Sequence, residues 1–220
     1  MPDSREPSFI VADDHPLVRQ GVRMVLETEF PDSEVTETCD FDSTLAAVVQ
    51  QPHALLLIDL GMPGMEGVES LRALRQDFPQ LMMAVLSGNA DRKTIADALN
   101  AGVNGYVLKA SPAEELLYAI ATVTSGRVYL TDVLWRSTDR LPVPTVPHVP
   151  EPAQRSDTPP LTARQREVTT WLMKGHSNKQ IARDLNIGEG TVKIHLAAIF
   201  RALGAQNRTD AVMIASRMGL

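Results

Sequence analysis

With 220 residues the chain has room for two small domains, and its one cysteine, Cys39, excludes both an intramolecular disulfide and a cysteine-based zinc site. The net charge of −6 is unevenly spread: residues 1–155 hold 12 Lys/Arg against 22 Asp/Glu, a net −10, whereas residues 156–220 hold 9 against 5, a net +4, so two modules with different partners are expected, the basic one facing a polyanion. Residues 1–7 are polar and charged, unlike a signal peptide, and no apolar run approaches the ~18 residues that span a bilayer, so a cytoplasmic, reduced protein with no membrane partner is expected.

Strands and helices alternate through the front half. Phe9-Ile10-Val11-Ala12 reads as a strand ending in Asp13-Asp14, followed from Pro16 by a helix with Leu17, Val18, Val22, Val25 and Leu26 at helical spacing. A weaker strand is expected over 34–38 and a helix over 42–50. Leu55-Leu56-Leu57-Ile58 is a strand buried on both faces; it ends on Asp59, and the turn Gly61-Met62-Pro63-Gly64 follows. A helix over 66–77, a strand over 81–86 ending at Ser87, a helix over 91–101 and a strand Tyr106-Val107-Leu108 ending at Lys109 complete the alternation. The last helix of this half begins at Ser111-Pro112-Ala113-Glu114, with Ser111 placed to cap, Pro112 suited to the first position and Glu114 placed to complete a capping box.

Five strands alternating with helices predict a doubly wound parallel sheet of the α/β class. Right-handed crossovers put all strand C-termini on one edge, which gathers Asp13, Asp14, Asp59, Ser87 and Lys109 around one crevice. A lone strand-end Asp is more often a turn cap than a reactive group; five polar groups at the ends of four strands are not explained that way. Three clustered carboxylates call for a cation, and a hard divalent ion such as Mg²⁺, with oxygen ligands, suits them. Asp59 is then placed to attack a phosphoryl group, Lys109 to neutralise its oxygens and Ser87 to donate to one of them. Asp13 and Asp14 serve as metal ligands, and Gly61 offers a backbone carbonyl.

The paired acids, the strand with Asp59, the Met-Pro-Gly turn, Ser87 and Gly105-Tyr106-Val107-Leu108-Lys109 together resemble the receiver domain of bacterial two-component response regulators, over about residues 8–125. The resemblance implies a flavodoxin-like five-stranded sheet, Mg²⁺, and phosphorylation of Asp59 by a partner histidine kinase. It also makes Tyr106 a switch residue that moves inward as Ser87 shifts toward the phosphoryl group.

After Gly126 the pattern changes. Residues 128–141 read as a short helix, with Thr131 as its cap and Val133, Leu134 and Trp135 on its apolar face. Seven prolines over 141–160 then exclude a regular helix or central strand and predict an extended spacer. The expected division is a receiver over 1–126, a linker over 127–159 and a second domain over 160–220.

Helical signals are dense from Leu161. Thr162 with Gln165, and Ser177 with Gln180, form capping-box patterns; Gly175 stands where a helix stops; Asn207 is placed to cap a last helix ending near Arg217. In the third helix of this four-helix domain, over 190–203, Val192, Leu196, Ile199 and Leu203 share one stripe, with Lys193, Ile194, Ala197 and Arg201 opposite. That arrangement fits either a recognition helix in a major groove or a solvated helix of a small bundle. The wider run (Leu161 to Val168, Gly175 to Ala182, Thr191 to His195) resembles the LuxR-type helix-turn-helix over nearly all of 160–216, and this decides for the former. The resemblance implies that Lys193 and Ile194 meet base edges and that Lys179, Thr191 and His195 lie nearer phosphates. It further implies a homodimer contact through the last helix, with Val212, Ala215 and Met213, hence inverted-repeat half-sites in promoter DNA. Two positions depart from the pattern: Gly188 stands where a Ser or Thr cap is usual, and Gly190 loosens the first turn. Ala197 also lies where a long polar side chain is common. The whole resembles a transcriptional response regulator of the NarL/FixJ type, not an enzyme; a phosphatase or flavin protein on the same sheet, or a regulator with a degenerate receiver, are the rivals.

Overall fold

A computed structural model of the protein describes residues 7–131 and 161–220. Both faces of the front sheet are apolar, and the chain alternates strands and helices to cover them: β1 (Ser8–Ala12), α1 (Pro16–Glu29), β2 (Glu34–Thr38), α2 (Phe41–Gln50), β3 (Leu55–Ile58), α3 (Val68–Asp77), β4 (Met82–Ser87), α4 (Arg92–Asn100), β5 (Gly105–Leu108) and α5 (Ala113–Thr124). The sheet is parallel throughout, in the order β2-β1-β3-β4-β5 with one further short strand, β6 (Tyr129–Leu130), on the β5 edge. That strand falls inside the stretch read as linker: the chain leaving α5 is captured by β5, with Tyr129 N–H donating to Asn104 O at 2.9 Å and Thr131 N–H to Tyr106 O at 3.2 Å. Thr131 therefore extends the sheet rather than capping a helix; residues 132–141 of the expected short helix, and the Pro-rich spacer, lie outside the described residues.

Alternation along each strand sorts its side chains. Phe9, Val11, Leu55, Leu57, Ala84, Leu86 and Val107 pack toward α1 and α5, and Ile10, Leu56, Ile58, Met83, Val85 and Tyr106 pack toward α2, α3 and α4. Ala12 pairs with Ile58, Ile58 with Val85 and Ser87 with Leu108, so the residues after each strand emerge level at one edge.

Two helix starts differ from expectation. Gly67 has φ 57 and ψ −129, which ends the loop abruptly and begins α3 at Val68, leaving Glu66 in the loop. Ser111 does not cap α5: Pro112 stands at the cap position and has no side-chain oxygen to accept from the first-turn amides.

The tail has four helices, α6 (Ala163–Met173), α7 (Asn178–Leu185), α8 (Glu189–Leu203) and α9 (Arg208–Met218). Both capping boxes form as expected, Thr162 with Gln165 and Ser177 with Gln180, satisfying first-turn amides that would otherwise be orphaned. Val192, Leu196, Ile199 and Leu203 are buried as one stripe with Val168, Leu172, Ile181, Ala211 and Ala215. The opposite side of α8 is not in water. It packs against α2 and α3, and Ile194 and Ala198 join the receiver's own apolar cluster. Among the described residues no helix is long and apolar enough to cross a membrane.

Candidate functional site

The level strand ends bring Asp13, Asp14, Asp59, Ser87 and Lys109 together. Asp13 is fully buried and Asp59 is 8 % exposed, each placed by a backbone bond that extends the ladder: Asp13 N–H to Thr38 O at 3.2 Å and Asp59 N–H to Ala12 O at 2.9 Å. The Lys109 ammonium bridges them as ion pairs, 3.1 Å from Asp59 Oδ2 and 2.7 Å from Asp13 Oδ2. Burial pulls the Lys109 pKa down, but the close Asp13 and Asp59 carboxylates outweigh that and hold it above the usual lysine range. Lys109 is therefore a cation throughout the physiological range.

Asp13, Asp14 and Asp59 offer carboxylate oxygens within 4.8 Å of one another, joined by a His15 nitrogen. A Cβ at Gly61 would sit 3.2 Å from Asp59 Oδ2, so this backbone passes directly beside the carboxylate. Closely set hard oxygen donors on a buried floor fit a small divalent cation, as expected from the strand ends. His15 was not singled out by the sequence: its Nδ1 lies 2.6 Å from Asp14 Oδ1 and 3.1 Å from Asp13 Oδ1. Its signal was adjacency to the acid pair, which a search for spacing among histidines overlooks.

Ser87 ends β4, and its hydroxyl accepts from Asn89 N–H at 3.1 Å. The Tyr106 ring is fully buried and its hydroxyl donates to Asn89 O at 3.0 Å. Burial raises the Tyr106 pKa, partly offset by the neighbouring Ser87 hydroxyl, so the phenol stays neutral. The inward position expected to follow a shift of Ser87 is thus already occupied here.

In the tail, most of the residues expected to meet DNA face the receiver instead. Lys193 Nζ is held by both oxygens of Asp42, at 2.7 and 2.6 Å. Ile194 is fully buried, and Ala197 packs against the receiver cluster. Thr191 Oγ1 donates to Glu66 Oε2 at 2.9 Å, and His195 Nδ1 lies 2.6 Å from Asp77 Oδ2, with side-chain exposures of 2 % and 1 %. Arg201 stands over the Phe78 ring at 5.7 Å, while Lys179, on α7, is exposed. Gln165 serves twice: its Oε1 closes the Thr162 capping box, and its Nε2 donates to Asp77 Oδ1 at 3.0 Å. On α9, Ala215 faces inward and is fully buried, so the dimer contact expected of it has no surface to use; Val212 is half-buried and Met213 is 57 % exposed. The sequence missed Asp42, Glu66 and Asp77, three receiver acids that are ordinary helix or loop residues until the tail is laid against them.

Residues 9–121 match the response regulator receiver domain, and residues 159–215 match the bacterial regulatory proteins of the luxR family. The chain is 37% identical over 212 residues to the glycerol metabolism activator of Pseudomonas putida, covering 94% of each. It is 33% identical over 215 residues to the nitrate/nitrite response regulator protein NarP of Escherichia coli, covering 97% of this chain and 96% of the relative. Among solved structures it resembles a LuxR-family two-component response regulator from Aurantimonas, with TM-score 0.56 and 27% identity over 60% of this chain and 94% of that one. A receiver crevice in front, a four-helix DNA-binding module behind and these matches along the whole length place the chain in the NarL/FixJ-type family of two-component response regulators, which regulate transcription and are not enzymes.

Proposed function

We propose that a partner histidine kinase phosphorylates Asp59, and that this decides whether α8 is free to bind promoter DNA. The observation that carries the reading is positional. The loop leaving Asp59 and the helix after it, through Glu66 and Asp77, hold Thr191 and His195, two of the α8 groups assigned to DNA. In the transfer, an Asp59 carboxylate oxygen attacks phosphorus and the kinase histidine leaves with its electron pair. Lys109, already 3.1 Å from Asp59 Oδ2, takes up an oxygen of the incoming group, and Ser87 donates to another. Asp13, Asp14, Asp59 and the Gly61 backbone are the residues that would hold Mg²⁺, as receiver domains do at such acidic pockets. The ion offsets the charge that carboxylates and phosphoryl oxygens bring together.

A new dianionic group on Asp59 alters the β3–α3 loop, and the closed arrangement yields by as much as the two states differ in their interaction with it. Once α8 is uncovered, Lys193 and Ile194 meet base edges, Lys179, Thr191 and His195 meet phosphates, and Ala197 and Arg201 face the groove. Pairing of two copies through the Val212–Met213 side of α9 gives inverted-repeat half-sites. Receiver over 1–126, its sheet extended by β6 from the stretch expected as linker over 127–159, and DNA-binding domain over 160–220 are the proposed units, acting in the cytoplasm. Duplex affinity and sedimentation of the full chain, with and without beryllofluoride and Mg²⁺, test the reading: both change in the wild type and neither in Asp59→Asn. A wild type that responds in neither measurement refutes it.

A further inference from the structure

The recognition helix begins without a cap of its own. Gly188 holds the N-cap position in extended backbone (φ −77, ψ 161) and has no side chain to accept from the first-turn amides. The two helices before it solve that problem locally, through Thr162 and Ser177. For α8 the acceptor comes from the other domain: Glu66 Oε1 takes the Gly190 N–H at 2.9 Å, and Oε2 takes the Thr191 hydroxyl at 2.9 Å. A carboxylate there also meets the positive end of the helix dipole.

The fit depends on two absent side chains. A Cβ on Gly188 would fall on the Glu66 carboxylate, and one on Gly190 would lie 2.8 Å from the Gly64 carbonyl oxygen. Neither residue has a positive φ, so glycine serves close approach here and not backbone conformation. These are two of the three positions, with Ala197, at which the tail departs from the LuxR-type pattern. Glu66 in turn sits on the loop that leaves Asp59. Its backbone N–H is fixed by the buried Ser70 hydroxyl at 2.9 Å, and Gly61, on the same loop, lies against the Asp59 carboxylate.

We propose that Glu66 is a removable N-cap for α8, admitted by Gly188 and Gly190, and that it acts as an autoinhibitory latch operated from the Asp59 loop. While the loop holds its place, the helix is both capped and covered; when the loop moves, cap and cover leave together. What the uncovered helix binds rests on the proposed function, whereas the latch does not.

Gly188→Ser tests it. Serine adopts this backbone without strain, supplies the local cap and displaces the Glu66 carboxylate. In the unphosphorylated full chain, hydrogen exchange over residues 68–77 and binding of a DNA duplex are measured together. The expected result is faster exchange over 68–77 and a duplex affinity raised by about fivefold or more, the scale of a lost cap. Glu66→Ala attacks the same contact from the receiver side and is expected to open the chain less. In Gly188→Ser/Glu66→Ala the clash is gone, so exchange returns toward the Glu66→Ala level instead of exceeding Gly188→Ser. Unchanged exchange over 68–77 in Gly188→Ser, or strictly additive effects in the double variant, overturns the latch. Faster exchange without a gain in duplex affinity supports the latch and counts against the DNA reading alone.

Discussion

Asp77 lies at the end of α3, where the α6–α8 side of the tail meets the receiver, and removing its carboxylate perturbs the closed arrangement in a calculable way. Its Oδ2 pairs with His195 Nδ1 at 2.6 Å and its Oδ1 accepts from Gln165 Nε2 at 3.0 Å. In Asp77→Ala both donors stay buried without an acceptor as long as the domains remain together. Each unsatisfied donor costs about 1–3 kcal/mol, so the closed form loses about 2–6 kcal/mol. In the open form both groups face water and lose nothing, and the whole cost falls on one side of the equilibrium. At ~1.4 kcal/mol per decade, the open-to-closed ratio rises about 30-fold or more. Apparent DNA affinity scales with the open fraction, so it rises by the same factor until the open form dominates. Fluorescence anisotropy on a labelled duplex reads the affinity, and sedimentation velocity reads compactness, both without phosphate. A variant as compact and as weakly binding as the wild type would refute the claim that this buried pair holds the domains together.

Incubation with acetyl phosphate and Mg²⁺ is expected to add one phosphoryl group to the wild type and none to Asp59→Asn, although Asp13 and Asp14 remain; intact mass reads the difference. The Asp13 and Asp59 carboxylates hold the Lys109 pKa above the usual lysine range in the fold. A raised pKa stabilises the fold fully below the unfolded value and is lost as pH rises through the folded one. Thermal stability of the receiver is therefore expected to fall more steeply on the alkaline side of that range in the wild type than in Lys109→Met, and parallel curves would count against the bridge. Leu172, 1 % exposed in the tail's core, is expected to lose about 2–5 kcal/mol of tail stability on substitution by alanine. Calorimetry should show that loss while phosphorylation of Asp59 is unaffected.

What could be read from the sequence is what local patterning encodes. Apolar runs end on polar residues at each strand, so the crevice of Asp13, Asp59, Ser87 and Lys109 follows from topology without coordinates. The stripe Val192-Leu196-Ile199-Leu203 and the capping boxes at Thr162 and Ser177 likewise follow from spacing alone. Ile194 marks where that reading stops. An apolar residue on the second face of a helix announces that the face is covered, but not by what, and a thymine methyl and a receiver core satisfy it equally. Here the cover is supplied from residues more than 100 positions earlier, along with Asp42, Glu66 and Asp77. Gly188 and Gly190 are the trace that this contact left in the sequence, and they read as weaknesses of the helix because their partner was not in view.

The closed interface and the proposed DNA complex draw on the same donors, yet they should answer differently to salt. Lys193–Asp42 is the exposed pair, with side chains 37 % and 61 % accessible, and pairs of that kind contribute at most about 1 kcal/mol. Ile194, fully buried, is worth about 1.5–3 kcal/mol, and the His195–Asp77 pair is shielded from ions by its burial. Closure is therefore held mainly by contacts that salt does not reach, whereas DNA binding through several phosphates weakens steeply with salt through counterion release. It follows that closure divides the DNA affinity by a factor nearly independent of ionic strength. Plots of log affinity against log salt for the wild type and Asp77→Ala should run parallel, with a constant offset. Lines that converge at high salt would mean that surface charge, and not the buried pair with Ile194, keeps the recognition helix covered.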